Sequence, residues 1–225
     1  MKKVFIFGDC HAARIWEWYD PKNSKFDLKI WGKAGTRVWG HDIQKAYDLN
    51  DRSWGTESGP KYQGFETYIH FDESKDADLI MPWLGYVDIR QHLPKYKNAS
   101  EIVKEYVDDV LKVFPDKTIK FIEPLPQFTE MLLKFEGISE SYSYESRQEA
   151  NQEFIDALRL ECKSKGLLEP LSQDLIYKAT GRFEFTTDMT HDKAPHPVDG
   201  LSDRYNESIY KLFVREAEKV LQDLA

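Results

Sequence analysis

Cys10 is the residue of this chain best placed to do covalent chemistry. It follows Val4-Phe5-Ile6-Phe7-Gly8-Asp9 and precedes His11-Ala12-Ala13-Arg14. Val4 to Gly8 reads as a buried strand of the parallel type, and Ala12 to Tyr19 continues with helix formers and aromatics at i, i+3 and i+4. Gly8-Asp9-Cys10-His11 is the turn between them. A side chain there stands at the C-terminal edge of the strand, where open α/β sheets bind their ligands. It also lies in the first turn of a helix, whose N–H groups and dipole favour an anion. A thiol so placed has a lowered pKa and more of the nucleophilic thiolate. The alternative is a small buried cysteine that plugs the junction. His11 and His41 fall near the same edge, with structural and substrate-contact roles both open. Far along the chain, His191, Asp192 and His196 are three N/O groups close in sequence, of the types that hold zinc or manganese. No further His/Asp grouping with ligand spacing joins them, and no metal or cofactor is expected.

The elements that must position these residues follow from pattern. Phe26-Asp27-Leu28-Lys29-Ile30-Trp31 alternates and predicts a second strand ending at Gly32. A small-residue turn, Lys33-Ala34-Gly35-Thr36, precedes a helical stretch from about Arg37 to Leu49. Asn50 to Gly64 carries Gly55, Gly59 and Pro60 and reads as a surface excursion. Asp76 to Gly85 is an approach turn and a buried strand. Asn98-Ala99-Ser100-Glu101 is an N-cap with a capping-box Glu, opening an amphipathic helix to Phe114. Thr118 to Ile122 is the next strand, Glu145 to Lys165 a long helix stopped by Gly166, and Asp203 to Leu224 a closing helix. Glu169 to Asp199 has few periodic signals and predicts one short strand and a long loop returning to the sheet edge. Strands alternating with helices imply an α/β fold, a three-layer α/β/α sandwich around a central parallel sheet of flavodoxin-like type.

Phe7-Gly8-Asp9-Cys10-His11 resembles the first conserved block of the SGNH, or GDSL-type, hydrolases, Gly-Asp-Ser followed by Leu or His, with Cys10 standing where that superfamily keeps its nucleophilic Ser. The resemblance runs through the chain in order. It implies that Gly35, after the second strand, lends its N–H to an oxyanion hole together with the N–H of Cys10; a side chain at that Gly would collide with the tetrahedral intermediate. The block Gly-x-Asn-Asp is matched by Gly85-Tyr86-Val87-Asp88, where Val87 replaces the Asn whose amide donates to the oxyanion. Losing one such donor typically costs about 3 kcal/mol of transition-state stabilisation. Arg90 points to the same side as Asp88 if the segment is extended, and would replace the donor, bind an anionic substrate or form a salt bridge. The last block, Asp-x-x-His before the final helix, supplies a general base and the acid that orients it. Asp188-Met189-Thr190-His191 has its spacing. Asp192-Lys193-Ala194-Pro195-His196-Pro197 has one residue too many, but His196-Pro197-Val198-Asp199-Gly200 resembles the run that leads into the last helix, and Pro195 and Pro197 would follow His191 before any helix began. His196 with Asp192 is therefore preferred over His191 with Asp188. Asp9, His11, Arg90 and Trp39 are the candidate substrate contacts. Of the six Trp, Trp39 and Trp54 neighbour the edge loops and suit sugar stacking, whereas the others fit core packing.

Composition narrows the class. A chain of 225 residues suffices for one domain with a full core, and 1–225 reads as a single unit without repeats or linkers. The formal net charge is −8, from 31 Lys+Arg against 39 Asp+Glu, with both signs mixed along the chain, which excludes a basic nucleic-acid-binding face. No apolar run would span a bilayer, and the N-terminus reads as a strand with no signal-peptide core. Cys10 and Cys162 form no disulfide framework, which makes a reducing cytoplasm the default. The expectation is an SGNH-like esterase or acyltransferase working on a small-molecule or carbohydrate ester, an O-acetylated carbohydrate by analogy with the superfamily. The alternative is a catalytically silent domain of the same fold that binds a carbohydrate or an anion.

Overall fold

Four strands pair in parallel in the order β2-β1-β3-β4: β1 (Lys3–Gly8), β2 (Asp27–Gly32), β3 (Leu79–Trp83) and β4 (Thr118–Ile119). The computed structural model describes residues 1–15, 24–33, 36–38, 42–50, 69–96, 98–125, 142–180 and 201–224. β1 lies between β2 and β3, and its apolar run is buried on both faces, as a central parallel strand requires.

Register divides the core. Phe5 and Phe7 are level with Ile80 and Pro82 of β3 and with Lys29 and Trp31 of β2, so these residues share one face. There Phe5 meets Phe71 with ring centroids 5.6 Å apart, Trp31 meets Phe71 at 4.9 Å, and Phe7 meets Phe114 at 6.0 Å. Phe71 opens a 3₁₀ helix (Phe71–Asp76) in the segment before β3, and Phe114 is the C-cap of the helix that precedes β4. On the other face, Trp83 stands edge-on to Phe213 at 4.9 Å.

Helices cover both faces. α1 (Cys10–Ile15) packs with the C-terminal helix α8 (Leu201–Asp223) on the Trp83 side. The opposite layer holds α2 (Asp42–Asp48), α5 (Ala99–Val113) and α6 (Tyr144–Ser164). Two short helices, α3 (Tyr86–Gln91) and α4 (Leu93–Tyr96), follow β3, and α7 (Gln173–Thr180) packs on α8. The result is the expected three-layer α/β/α sandwich. α5 begins as predicted: the Asn98 side chain accepts from the Glu101 N–H at 3.2 Å, and Ile102, Val103, Tyr106 and Val110 are buried along one stripe.

Four segments differ from expectation. Arg37 and Val38 are not helical: their N–H groups donate to the carboxylates of Asp42 and Asp88, and α2 is described over Asp42–Asp48. Gly85 to Arg90 is not extended: a left-handed Gly85 starts α3 directly. Glu169–Asp199 contains a parallel bridge from Leu171 to Ile122 and then a helix, α7, whose two turns are too short to show a period; residues 181–200 lie outside the described part. β4 is shorter than Thr118–Ile122 because Pro82 has no N–H to give to it. The Ile122 N–H still reaches the Pro82 carbonyl at 2.8 Å. Among the described residues no helix is long and apolar enough to cross a membrane.

Candidate active site

The first part of the site is the end of β1. Gly8 is required there by close approach, since a Cβ would lie 2.5 Å from the Trp83 carbonyl oxygen and 3.0 Å from the Ala12 Cβ. Asp9 leaves the sheet and caps α1. Its carbonyl accepts from the Ala12 N–H at 3.2 Å, and its carboxylate Oδ1 accepts from the His11 N–H at 2.9 Å and contacts His11 Nδ1 at 2.8 Å. The His11 ring lies edge-on to Tyr86, centroids 4.8 Å apart, and 6.3 Å from Trp83. Asp9 and His11 are both buried. Their bonds hold the turn at Cys10. Cys10 is the first residue of α1, at the C-terminal edge of the sheet; its side chain lies outside the described part.

The flanking loops come from β2 and β3, the two strands beside β1. After β2, the Thr36 N–H and hydroxyl donate to the Lys33 carbonyl at 3.2 and 2.8 Å. Two residues on, the Val38 N–H donates to Asp88 Oδ2 at 2.9 Å. Asp88 lies on the first turn of α3 and is fully buried. One carboxylate thus ties the loop after β2 to the helix after β3, across the end of the strand between them. That bond explains why an acid stands three residues after Gly85. The Val87 side chain beside it has no donor to offer.

Gly85 fixes the direction of α3. Its φ of 109° is a conformation that side chains avoid, and a Cβ would lie 2.6 Å from the Phe154 ring of α6. Because α3 is helical, Arg90 stands about 200° round the axis from Asp88, and the extended placement on the same side is corrected. His92 closes α3 through its N–H to the Asp88 carbonyl at 2.8 Å. Burial and the positive charges of Arg37 and Lys95 hold its imidazole below the ordinary histidine value.

The structure therefore brings Asp9, Cys10 and His11 to one edge with the Gly85–Asp88 turn. Gly35, Trp39, Asp188, His191, Asp192 and His196 lie outside the described residues. A buried ion pair beyond β4 was not anticipated. Glu123 is fully buried, and Arg159 of α6 donates to it through Nε at 2.6 Å and a terminal nitrogen at 3.1 Å, while the Gln173 N–H donates at 2.6 Å. The only sequence signal is an acid placed directly after an apolar strand. Removing Arg159 strands the buried carboxylate, so Arg159→Ala is expected to cost about 3 kcal/mol. Glu123→Gln keeps an acceptor and leaves a guanidinium that is already 43 % exposed, and is expected to cost about 1–2 kcal/mol. Urea denaturation midpoints of the two variants check the order.

No protein-family model matches the chain. It is 29 % identical over 119 residues to the ATP synthase gamma chain of Nitratiruptor sp., a stretch of 48 % of this chain and 40 % of that one, so the match spans well under two thirds of the relative's length. Solved structures match over the whole chain. The carbohydrate acetylesterase Est24 from Sinorhizobium meliloti is similar with a TM-score of 0.55 and 13 % identity, over 98 % of this chain and 100 % of that one. A lipase/acylhydrolase from Enterococcus faecalis is similar with a TM-score of 0.51 and 12 % identity, over 96 % and 97 %. At such identity the likeness is one of architecture, and the chain has the fold of the SGNH, or GDSL-type, hydrolases.

Proposed function

We propose that the protein is an ester hydrolase or acyltransferase with Cys10 as nucleophile. The observation that carries this reading is the Asp88–Val38 bond, which gathers the loops after β2 and β3 around the residue that opens α1. The Cys10 sulfur attacks the ester carbonyl and forms a tetrahedral oxyanion, held by the N–H groups of Cys10 and Gly35. His196, or His191 in the alternative alignment, takes the thiol proton and returns it to the leaving alcohol, with Asp192 or Asp188 orienting the imidazole. Collapse gives a thioester, which water cleaves in a hydrolase and a second alcohol in a transferase. An O-acetylated carbohydrate is the proposed substrate class, supported by the acetylesterases of like fold.

Val87 favours a second reading, a silent domain that binds a sugar or an anion, because it removes one oxyanion donor. A chromogenic acetyl ester separates the two. Turnover is expected, and Cys10→Ala is expected to reduce it by at least about a thousandfold. No turnover above that of the variant overturns the hydrolase reading. His196→Ala and His191→Ala then identify the base, with the larger loss expected for His196.

A further inference from the structure

We propose that His11 is a positioning residue of the nucleophile turn: its Nδ1–H engages the charge of the Asp9 carboxylate and so allows Cys10, the residue between them, to ionise. This deepens the hydrolase reading and rests on it only for the use made of the thiolate.

The geometry lies within three residues. Asp9 Oδ1 accepts from the His11 N–H at 2.9 Å and stands 2.8 Å from His11 Nδ1. A carboxylate only accepts, so Nδ1 carries the hydrogen of that contact. Among the described residues, His11 thus supplies both hydrogen-bond donors of the Asp9 carboxylate. Asp9 and His11 are 2 % and 3 % exposed, so water does little to screen the charge. The imidazole is held in turn by the Tyr86 ring of α3, edge-on with centroids 4.8 Å apart, and by Trp83 of β3 at 6.3 Å. Packed between rigid elements, the Nδ1–H keeps its aim at Asp9.

Adjacent Cα atoms are about 3.8 Å apart, so the thiol of Cys10 cannot escape the field of a carboxylate at Asp9. A like charge that close disfavours the thiolate and raises the thiol pKa. N–H groups directed at Oδ1 oppose that field, and one of the two belongs to the His11 ring. The Asp9 charge is felt elsewhere in the interior: burial first, and with it the neighbouring Cys162, Asp88 and Asp9, push the Tyr106 hydroxyl of α5 up. Lys33, after β2, meets the end of β1 through its N–H on the Gly8 carbonyl at 3.2 Å, and α8 meets Trp83 through the apolar Phe213. Tyr86, Asp88, Tyr106 and Lys33 are thus the titratable groups placed around the pair among the described residues. His11 is the one bonded to the carboxylate.

Two variants separate the donor from the packing. His11→Phe keeps a ring against Tyr86 and loses the Nδ1–H, whereas His11→Asn loses the ring and keeps an N–H at the place of Nδ1. Alkylation of Cys10 by iodoacetamide is followed against pH by peptide mapping. His11→Phe is expected to raise the Cys10 pKa by about 0.5 to 1, which slows alkylation at pH 6 about three- to tenfold and leaves the limiting rate at high pH unchanged. His11→Asn is expected to restore the wild-type profile, and in an Asp9→Asn background His11→Phe should change nothing. With 4-nitrophenyl acetate, the acid limb of kcat/KM should move together with the alkylation pKa. The expected alkylation shift with no ester cleaved upholds the role of His11 and overturns the hydrolase reading. Ester cleavage with the same Cys10 pKa in wild type and His11→Phe overturns the role and leaves the hydrolase reading standing. Neither shift nor cleavage overturns both. A defect in His11→Asn as large as in His11→Phe, or an equal loss at every pH, assigns His11 to packing and also overturns the proposal. If His11→Phe does not fold, His11→Leu, likewise without a donor, carries the same comparison.

Discussion

Iodoacetamide is expected to modify Cys10 rapidly and to leave Cys162 intact over the same time. Cys162 lies on the inward stripe of α6 with Asn151, Phe154 and Leu158, and burial pushes its thiol up to about 12. At pH 8 a thiol of that pKa is thiolate in about one molecule in ten thousand, whereas an ordinary thiol near 8.5 is thiolate in about a quarter. Ionisation alone therefore separates the two sites by about two-thousandfold, before the closed packing around Cys162 is counted. A helix N-terminus at Cys10 widens the gap, while the neighbouring Asp9 carboxylate narrows it. Peptide mapping of the alkylated protein against time gives both rates, and their dependence on pH gives the Cys10 pKa. Loss of ester cleavage should keep pace with alkylation of Cys10. Equal rates at the two cysteines would make Cys10 a buried structural thiol and move the silent binding reading ahead.

Gly85→Ala is expected to be strongly disruptive for the addition of a single methyl. Two costs coincide. The backbone at φ 109° is one that side chains avoid, and the new Cβ would stand 2.6 Å from the Phe154 ring. Each effect typically costs about 1–3 kcal/mol, which together makes roughly 2–6 kcal/mol against a total stability of about 5–15 kcal/mol. The denaturation midpoint should fall accordingly. Phe154→Leu relieves the overlap but not the backbone, so the double variant should be less destabilised than the sum of the singles by the steric part alone. An additive pair would mean that α3 has moved and that Gly85 does not set its direction.

The layers of the fold could be read from short-range pattern. β1, α5 and α6 each carry their period and their end signals within their own residues, and the structure places them within a residue or two of the expected limits. The Gly-Asp-Cys turn was legible for the same reason, because Asp9 caps its own helix. What escaped depends on distant partners. Asp88 acts on Val38, 50 residues earlier, and Glu123 is made tolerable inside the protein by Arg159, 36 residues later. Nothing in the local sequence marks either acid as buried. α7 escaped because Ile176 is its one fully buried apolar residue, too little to set a helical period.

Pro82 gives the sheet a seam. β1 is laced to both neighbours along its length, but β3 meets β4 through fewer bonds, since the proline withholds a donor in the middle of their contact. A transient opening of the molecule should start along that line, parting β4 and Leu171 from the three strands that surround Cys10. The turn at Cys10 and the Asp88 tie both lie on the firmer side. The edge proposed for chemistry is thus built to stay assembled while the far side of the sheet breathes, so slow fluctuations there need not pass through it.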